Sequence, residues 1–256
     1  MGKSMYRYFL LTLYKTYADL RAETQRTYAG FLWWFAEPLL HMAVYYLVFA
    51  VLMQRGEENF VPFLLIGLVT WRWFHVSLMQ GGSAISNNKR LMQQLYIAKL
   101  LFPATSILGN ALKFFITLLI LLAFLWVYGF LPNLYYLALP VLLGVQMLLI
   151  VGCTFVAAAI LPFLPDLRIM LDNALRAVMF LSGIFFSGDI VPEKLRIWFY
   201  LNPMAALLES WRNVLMGEGW PMWGHMAGIS IASCLLIVIG AKFMRRFDYS
   251  YPKLMV

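Results

Sequence analysis

Five ionisable side chains lie inside long apolar runs of this sequence: Glu37, Arg72, Lys113, Asp172 and Arg176. In the middle of a bilayer an Asp, Lys or Arg costs about 2.5–3.5 kcal/mol on insertion scales, so each calls for a partner or a task. Asp172 and Arg176 are four residues apart, share one helix face and read as a structural ion pair. Glu37 precedes Pro38 and lies one turn before His41, which suggests a helix kink with a local polar partner. Arg72 sits between Trp71 and Trp73 in the outer part of its run. It reads as a cation stacked on interfacial aromatics, or as a contact for an anionic or hydroxyl-rich substrate. Lys113 reads as a snorkelling residue without a role.

Catalytic chemistry has little to work with. His41, His75 and His225 are widely separated, and neither H-E-x-x-H nor G-x-S-x-G occurs. Gly2-Lys3-Ser4 lacks the upstream glycine of a phosphate-binding loop. Cys153 and Cys234 sit in apolar runs and are expected to be buried small hydrophobes. No metal or cofactor site is expected, and the chain reads as a non-enzyme. Aromatics are a richer signal. Trp33, Trp34, Phe35, Tyr45 and Tyr46, with Phe180, Phe185 and Phe186 further on, are dense enough to line a path. Sugars present C–H faces and hydroxyls together, so aromatic platforms suit a sliding glycan.

The elements that must position these groups follow from composition. Of 256 residues, 62% are apolar and only 12% charged, with a mean hydropathy of +0.75. That charge is about half of what a soluble domain carries, which marks an integral membrane protein. Six runs are long enough for about 20 helical residues: 30–53, 61–84, 104–128, 135–161, 172–188 and 222–241. Fourteen of the 20 Lys and Arg fall on one set of flanking segments and four on the other. That bias places both termini in the cytoplasm and explains the net charge of +8 without nucleic-acid binding. No cleavable signal peptide is expected.

Three segments outside the spans carry patterns of their own. In residues 1–29, Tyr6, Phe9, Leu10, Leu13, Tyr17 and Leu20 recur at helical spacing, predicting a cytoplasmic interfacial helix or one that packs on its own protein. In the 88–102 loop, Lys89, Arg90 and Lys99 alternate with Leu91, Met92, Leu95 and Tyr96. An amphipathic helix there would dock in a groove on a partner or touch only lipid. The external segment 189–219 is too apolar for a solvated loop. Pro192-Glu193 opens one helix, Asn202-Pro203 breaks it, and a second runs through Met204, Leu207, Leu208, Trp211 and Leu215. A re-entrant hairpin would satisfy the backbone, with Glu209 and Arg212 as an exposed pair within it or across subunits.

Together these readings predict an all-α integral membrane protein: an N-terminal interfacial helix (1–29), spans 1–5 (30–188), an external re-entrant helical hairpin (189–219), span 6 (222–241) and a cytoplasmic tail (242–256).

The order of several elements resembles the type-2 ABC exporter permeases. Thr27-Tyr28-Ala29-Gly30-Phe31-Leu32-Trp33-Trp34-Phe35-Ala36-Glu37-Pro38 is similar to the approach to their first span. Pro62 to Leu68, through Trp71 and Phe74, resembles the second, and Asn87-Asn88 through Leu91 to Tyr96, then Phe102-Pro103, their coupling segment. Leu161-Pro162 to Asp166-Leu167-Arg168 occupies the place of an F-R-D-like element with order and spacing altered. Val191-Pro192-Glu193, Leu201-Asn202-Pro203-Met204 and Glu209-x-x-Arg212 look like the external hairpin.

The resemblance implies one single-domain permease per chain. Within the family the chain looks most like exporters of O-antigen or capsule. It implies a homodimer with two ATP-binding cassette subunits, which would bind ATP and Mg. The assembly would move a lipid-linked polysaccharide out through the bacterial inner membrane. Under that reading Trp33, Trp34, Phe35, Tyr45, Arg72, Phe180, Phe185 and Phe186 line the pathway. Lys89, Arg90, Leu91, Leu95 and Tyr96 couple to the ATPase, and Asn202, Pro203, Glu209 and Arg212 form the outer gate. Alternatives are a type-2 exporter of teichoic acid or drugs, a membrane-embedded glycolipid-modifying enzyme, or a scaffold. The enzyme would need clustered carboxylates or histidines at one membrane face.

Overall fold

The computed structural model describes residues 2–25, 30–48, 59–94, 97–248 and 251. The described residues form helices and turns with no strand. In chain order the helices are α1 (Gly2–Gln25), α2 (Trp33–Tyr46), α3 (Phe60–Gly82), α4 (Ala84–Asn87), α5 (Lys89–Gln94), α6 (Leu101–Tyr128), α7 (Leu139–Ile160), α8 (Leu167–Leu181), α9 (Glu193–Leu201), α10 (Pro203–Leu215) and α11 (Trp223–Arg246).

Among the described residues four stretches are long and apolar enough to cross a membrane: α3, α6, Leu134–Ile160 (α7 with its preceding 3-10 turn) and α11. The 23 residues of α3 rise about 35 Å at 1.5 Å each, more than a hydrocarbon core of about 30 Å. α3 is the hub. Leu64, Leu65 and Ile66 are fully buried, and it packs on α6, α7 and α10. On the far side α7 pairs with α11, where a Cβ on Gly152 would meet the Ser233 carbonyl at 2.9 Å. Small residues of this kind let apolar helices approach backbone to backbone.

The first and fifth predicted runs look different. α2 has 14 residues with Pro38 inside it, and the predicted run continues past Val48 outside the described residues. α8 has 15 residues and ends at Leu181, so the run expected at 172–188 begins earlier and stops earlier. Gly183, at φ +73°, turns the chain there, and no helix carries 182–187. At about 22 Å, α8 by itself is shorter than the hydrocarbon core.

The N-terminal helix packs on its own protein along α6. Thr16 is buried there, and its hydroxyl donates to the Thr12 carbonyl at 2.8 Å. Tyr14 and Tyr17 remain exposed. The cysteines depart from expectation in part. Cys153 is half-buried against the core, but Cys234 faces outward from α11, because that face of α11 has no protein neighbour to cover it.

Candidate functional site

The intramembrane charges converge on one region between α2, α3, α6 and α8. Arg72, midway along α3 rather than in its outer part, donates from Nη2 to the Glu37 carboxylate of α2. Its Nη1 lies 3.2 Å from His41 Nε2, and His41 Nδ1 lies 2.7 Å from the Glu37 carbonyl oxygen. The local partner expected for Glu37 is therefore a cation from the next long helix. Asp172 on α8 accepts from Arg176 at 2.7 Å, the ion pair that the four-residue spacing predicts. Its other oxygen lies 3.0 Å from His75 Nε2 on α3, a partner that sequence spacing does not reveal. Lys113, expected to have no role, donates to both oxygens of Glu23 on α1 at 2.6 Å and sits over the Trp34 ring. Two ion pairs thus tie α1 to α6 and α2 to α3, and the His75–Asp172 contact ties α3 to α8.

Two cavities open beside these pairs. The larger, about 370 Å³, is bounded by His41, Tyr45, Leu65, Trp71, Arg72, His75 and Arg176. The smaller, about 230 Å³, lies towards α1 and α6 and is bounded by Glu23, Trp34, Glu37, Arg72, Asn110 and Lys113. His41 and His75, far apart in sequence, share the wall of the larger cavity. The aromatic positions are dispersed by comparison. Tyr45 lines the larger cavity and Trp34 the smaller, while Trp33 and Phe35 face outward from α2. Phe180 stacks on Phe185 with centroids 5.4 Å apart beyond the end of α8, and Phe186 turns to Phe199 of α9.

The α9–α10 hairpin packs one arm into the bundle. Asn202 caps α10, accepting from the Met204 N–H at 3.1 Å while its Nδ2 donates to Ser182 Oγ at 2.8 Å. Pro203 takes the first position of α10, where its missing N–H costs nothing. Arg212 is not part of an exposed pair: it is buried, and its guanidinium donates to the carbonyls of Phe63, Gly183 and Ile184. It also lies over the Phe63 ring, 3.4 Å from the centroid. Gly67 makes room for it, since a Cβ there would come within 2.8 Å of Arg212 Nη2. Three backbone carbonyls, one from α3 and two from the turn after α8, take the guanidinium, and Glu209 is half-buried one turn back. Next to Arg212, Trp211 Nε1 donates to Gln146 Oε1 at 2.8 Å, and Gln146 Nε2 donates to the Thr70 carbonyl at 3.0 Å. The one sequence signal for that link is a lone glutamine in the otherwise apolar α7.

The segment after α3 holds two short helices, α4 and α5, with a break at Asn88; of the stretch 88–102 expected to be an amphipathic helix, α5 covers Lys89–Gln94 and α6 begins at Leu101. Asn88 Nδ2 folds back onto the Ala84 carbonyl at 2.8 Å, which stops propagation. Met92 points inward to Ile85 and Phe102, leaving Arg90 exposed and Lys89 and Leu91 half-buried. Lys99 is buried, with Nζ donating to the Ile97 carbonyl at 3.1 Å, so it adds no surface charge. Leu95 and Tyr96 lie outside the described residues. Beside this loop Tyr251 is fully buried, its hydroxyl donating to the Ala159 carbonyl at 3.0 Å. Burial first, and Asp248 second, push that hydroxyl well above the usual tyrosine range.

This order of elements has a match among known families. Residues 16–216, from the middle of α1 to just past α10, match the family described as ABC-2 type transporter. The chain belongs to that family. It is a multi-pass membrane protein with apolar helices to suit. Among its relatives, the O-antigen export system permease protein RfbA of Klebsiella pneumoniae is 25% identical over 96% of this chain and 95% of its own length. The protein of the same name from Myxococcus xanthus is 28% identical over 92% and 91%. The polysialic acid transport protein KpsM of Escherichia coli is 24% identical over 77% and 78%.

Proposed function

We propose that this chain is the permease subunit of an exporter that moves a lipid-linked polysaccharide, O-antigen first and capsule next, out across the bacterial inner membrane. The observation that carries this is end-to-end similarity to permeases named for O-antigen export, with no large insertion or missing domain in either partner. The sequence contains no phosphate-binding loop, so ATP and Mg belong to a separate cassette subunit. His41 and His75 line the larger cavity midway along α3, and Glu37 and Asp172 do not. Glu37 and Asp172 are each committed to an arginine, which suits a structural and binding role.

In this reading α2 and α8 complete six crossings, both termini are cytoplasmic, and α1 rests at the inner interface. Two copies face each other through α2 and α8, whose outward aromatics Trp33, Phe35 and Phe180 need a partner. Paired cysteines near Trp34 and Phe185 are expected to cross-link two copies. α5 is the contact for the ATPase, with Arg90 the most exposed cation described there. The α9–α10 hairpin re-enters the outer leaflet and closes the pathway.

The experiment is deletion and complementation in the parent bacterium. Loss of surface glycan with accumulation of lipid-linked glycan inside the cell, restored by this chain together with its ATPase, is the expected result. Unchanged surface glycan after deletion overturns the reading.

A further inference from the structure

The larger cavity has an unusual division of labour. Its charged side chains are two arginines, Arg72 and Arg176, with His41, His75 and the hydroxyl residues Tyr45 and Thr117 beside them, whereas Glu37 and Asp172, the carboxylates paired with the two arginines, do not line it. The carboxylates hold the cations from behind, and the cations turn their remaining donors to the cavity. Arg176 gives Nη2 to Asp172 and is otherwise largely exposed, at 69% of its side chain. Arg72 gives Nη2 to Glu37 and has donors beyond it, since a guanidinium carries five N–H groups. The opposite wall is apolar and aromatic: Leu65, Leu68, Trp71 and Tyr45. At about 370 Å³ the space is within the ordinary range of small-ligand pockets.

We propose that this cavity is a subsite for a phosphate or diphosphate group attached to an apolar chain. Two guanidiniums in fork geometry suit phosphate oxygens, and such charge-assisted bonds are roughly twice as strong as neutral ones. The histidines give their ring N–H groups to the Glu37 carbonyl and the Asp172 carboxylate, so they shape the wall and the arginines supply the donors. The apolar wall takes the first carbons of the chain, and the ion pairs behind the arginines keep them extended when the site is empty of ligand. The subsite would hold the head of a lipid carrier while the glycan moves on, so the proposal rests on the exporter reading above. It adds Arg176 to the residues that meet substrate, and gives Arg72 a specific task.

The test uses the purified full-length chain with its ATPase subunit in lipid nanodiscs, and measures binding of a polyprenyl diphosphate by native mass spectrometry. Polyprenol, inorganic diphosphate and phosphatidylglycerol are separate arms. Arg176→Gln is expected to weaken polyprenyl diphosphate about tenfold, the effect of losing one charged hydrogen bond, and Arg176→Lys to recover part of it. Arg72→Gln combined with Glu37→Gln, which leaves no carboxylate unpaired, is expected to do the same. Polyprenol binding should be weak and indifferent to all variants. Equal affinity for wild type and Arg176→Gln, with both monodisperse, overturns the subsite. Inorganic diphosphate or phosphatidylglycerol binding as tightly, with the same arginine dependence, overturns its assignment to a lipid carrier. Glycan export is scored in parallel. Arginine-independent binding with export intact sinks the subsite alone, whereas absence of export by the wild-type chain sinks the exporter reading itself.

Discussion

The two arms of the helical hairpin, α9 and α10, are neighbours in sequence, similar in amphipathicity and opposite in fate. In α9 no residue is buried, and Ile197 and Trp198 are 80% and 69% exposed. In α10 Leu207, Leu208 and Trp211 are all at 0%. Apolar content does not separate them. What differs is where their polar groups can be satisfied. α9 carries Glu193, Lys194 and Arg196 within its first turn or so, and nothing in the bundle would repay three desolvated charges. α10 brings Ser210, Trp211 and Arg212 to waiting acceptors: Ser210 bonds Ala206, Trp211 meets Gln146, and Arg212 finds three carbonyls. Ala205 and Ala206 keep its first turns slim enough to approach α3 and α7. Partner availability, rather than hydrophobicity, sorts the arms into a buried strut and an exposed flap.

The largest test of that contrast is a tryptophan pair. Trp211→Ala is expected to cost about 3–5 kcal/mol, the range for deleting a buried aromatic, while Trp198→Ala leaves the thermal midpoint of the purified protein nearly unmoved. Equal losses would mean that α9 is covered in the assembled protein and would break the contrast.

Next comes the staple. Arg212→Ala strands three carbonyls and is expected to cost roughly 3 kcal/mol, since each unsatisfied buried acceptor costs about 1–3. Yield and midpoint in fluorescence-detected size exclusion report it. A variant as stable as the wild type would show that water reaches those carbonyls and that the arm is less buried than described.

Gly67→Ala sharpens the same point. Its Cβ would press on the guanidinium, an overpacking cost of about 1–3 kcal/mol. In an Arg212→Ala background that cost should largely vanish, because the colliding atom is gone. Additive losses would place the cause elsewhere on α3.

The smallest effect is on stability but not on chemistry. Single cysteines at Lys194 and Ile197 are expected to react with a membrane-impermeant thiol reagent added outside, and one at Leu208 to resist it, all three with little change in expression. Reaction at Lys194 only from the cytoplasmic side would invert the topology.

Much of this architecture was legible because membrane constraints act locally. The break at Asn202-Pro203, the proline start of α10 and the four long apolar stretches all come from residues next to one another, as does the Asp172–Arg176 pair. In the segment after α3 the amphipathic pattern marked the helix α5, but nothing in it gave the separate turn α4, which ends where Asn88 folds its side chain onto Ala84. The candidate site was harder. Arg72 and Glu37 were each marked as needing a partner, but nothing in a sequence separation of 35 residues says that they are each other's.

What the sequence determined by itself was the solvent and the list of costs: an all-helical membrane chain, its span-length runs, and a handful of charges that could not go unpaired. Only the tertiary structure decided the pairing. It set Glu23 against Lys113, Glu37 against Arg72 and His75 against Asp172, and it turned Arg212 from a surface residue into a buried staple. The physical reason is that hydropathy is summed along the chain, whereas the relief of a buried charge depends on atoms within about 3 Å that another helix supplies.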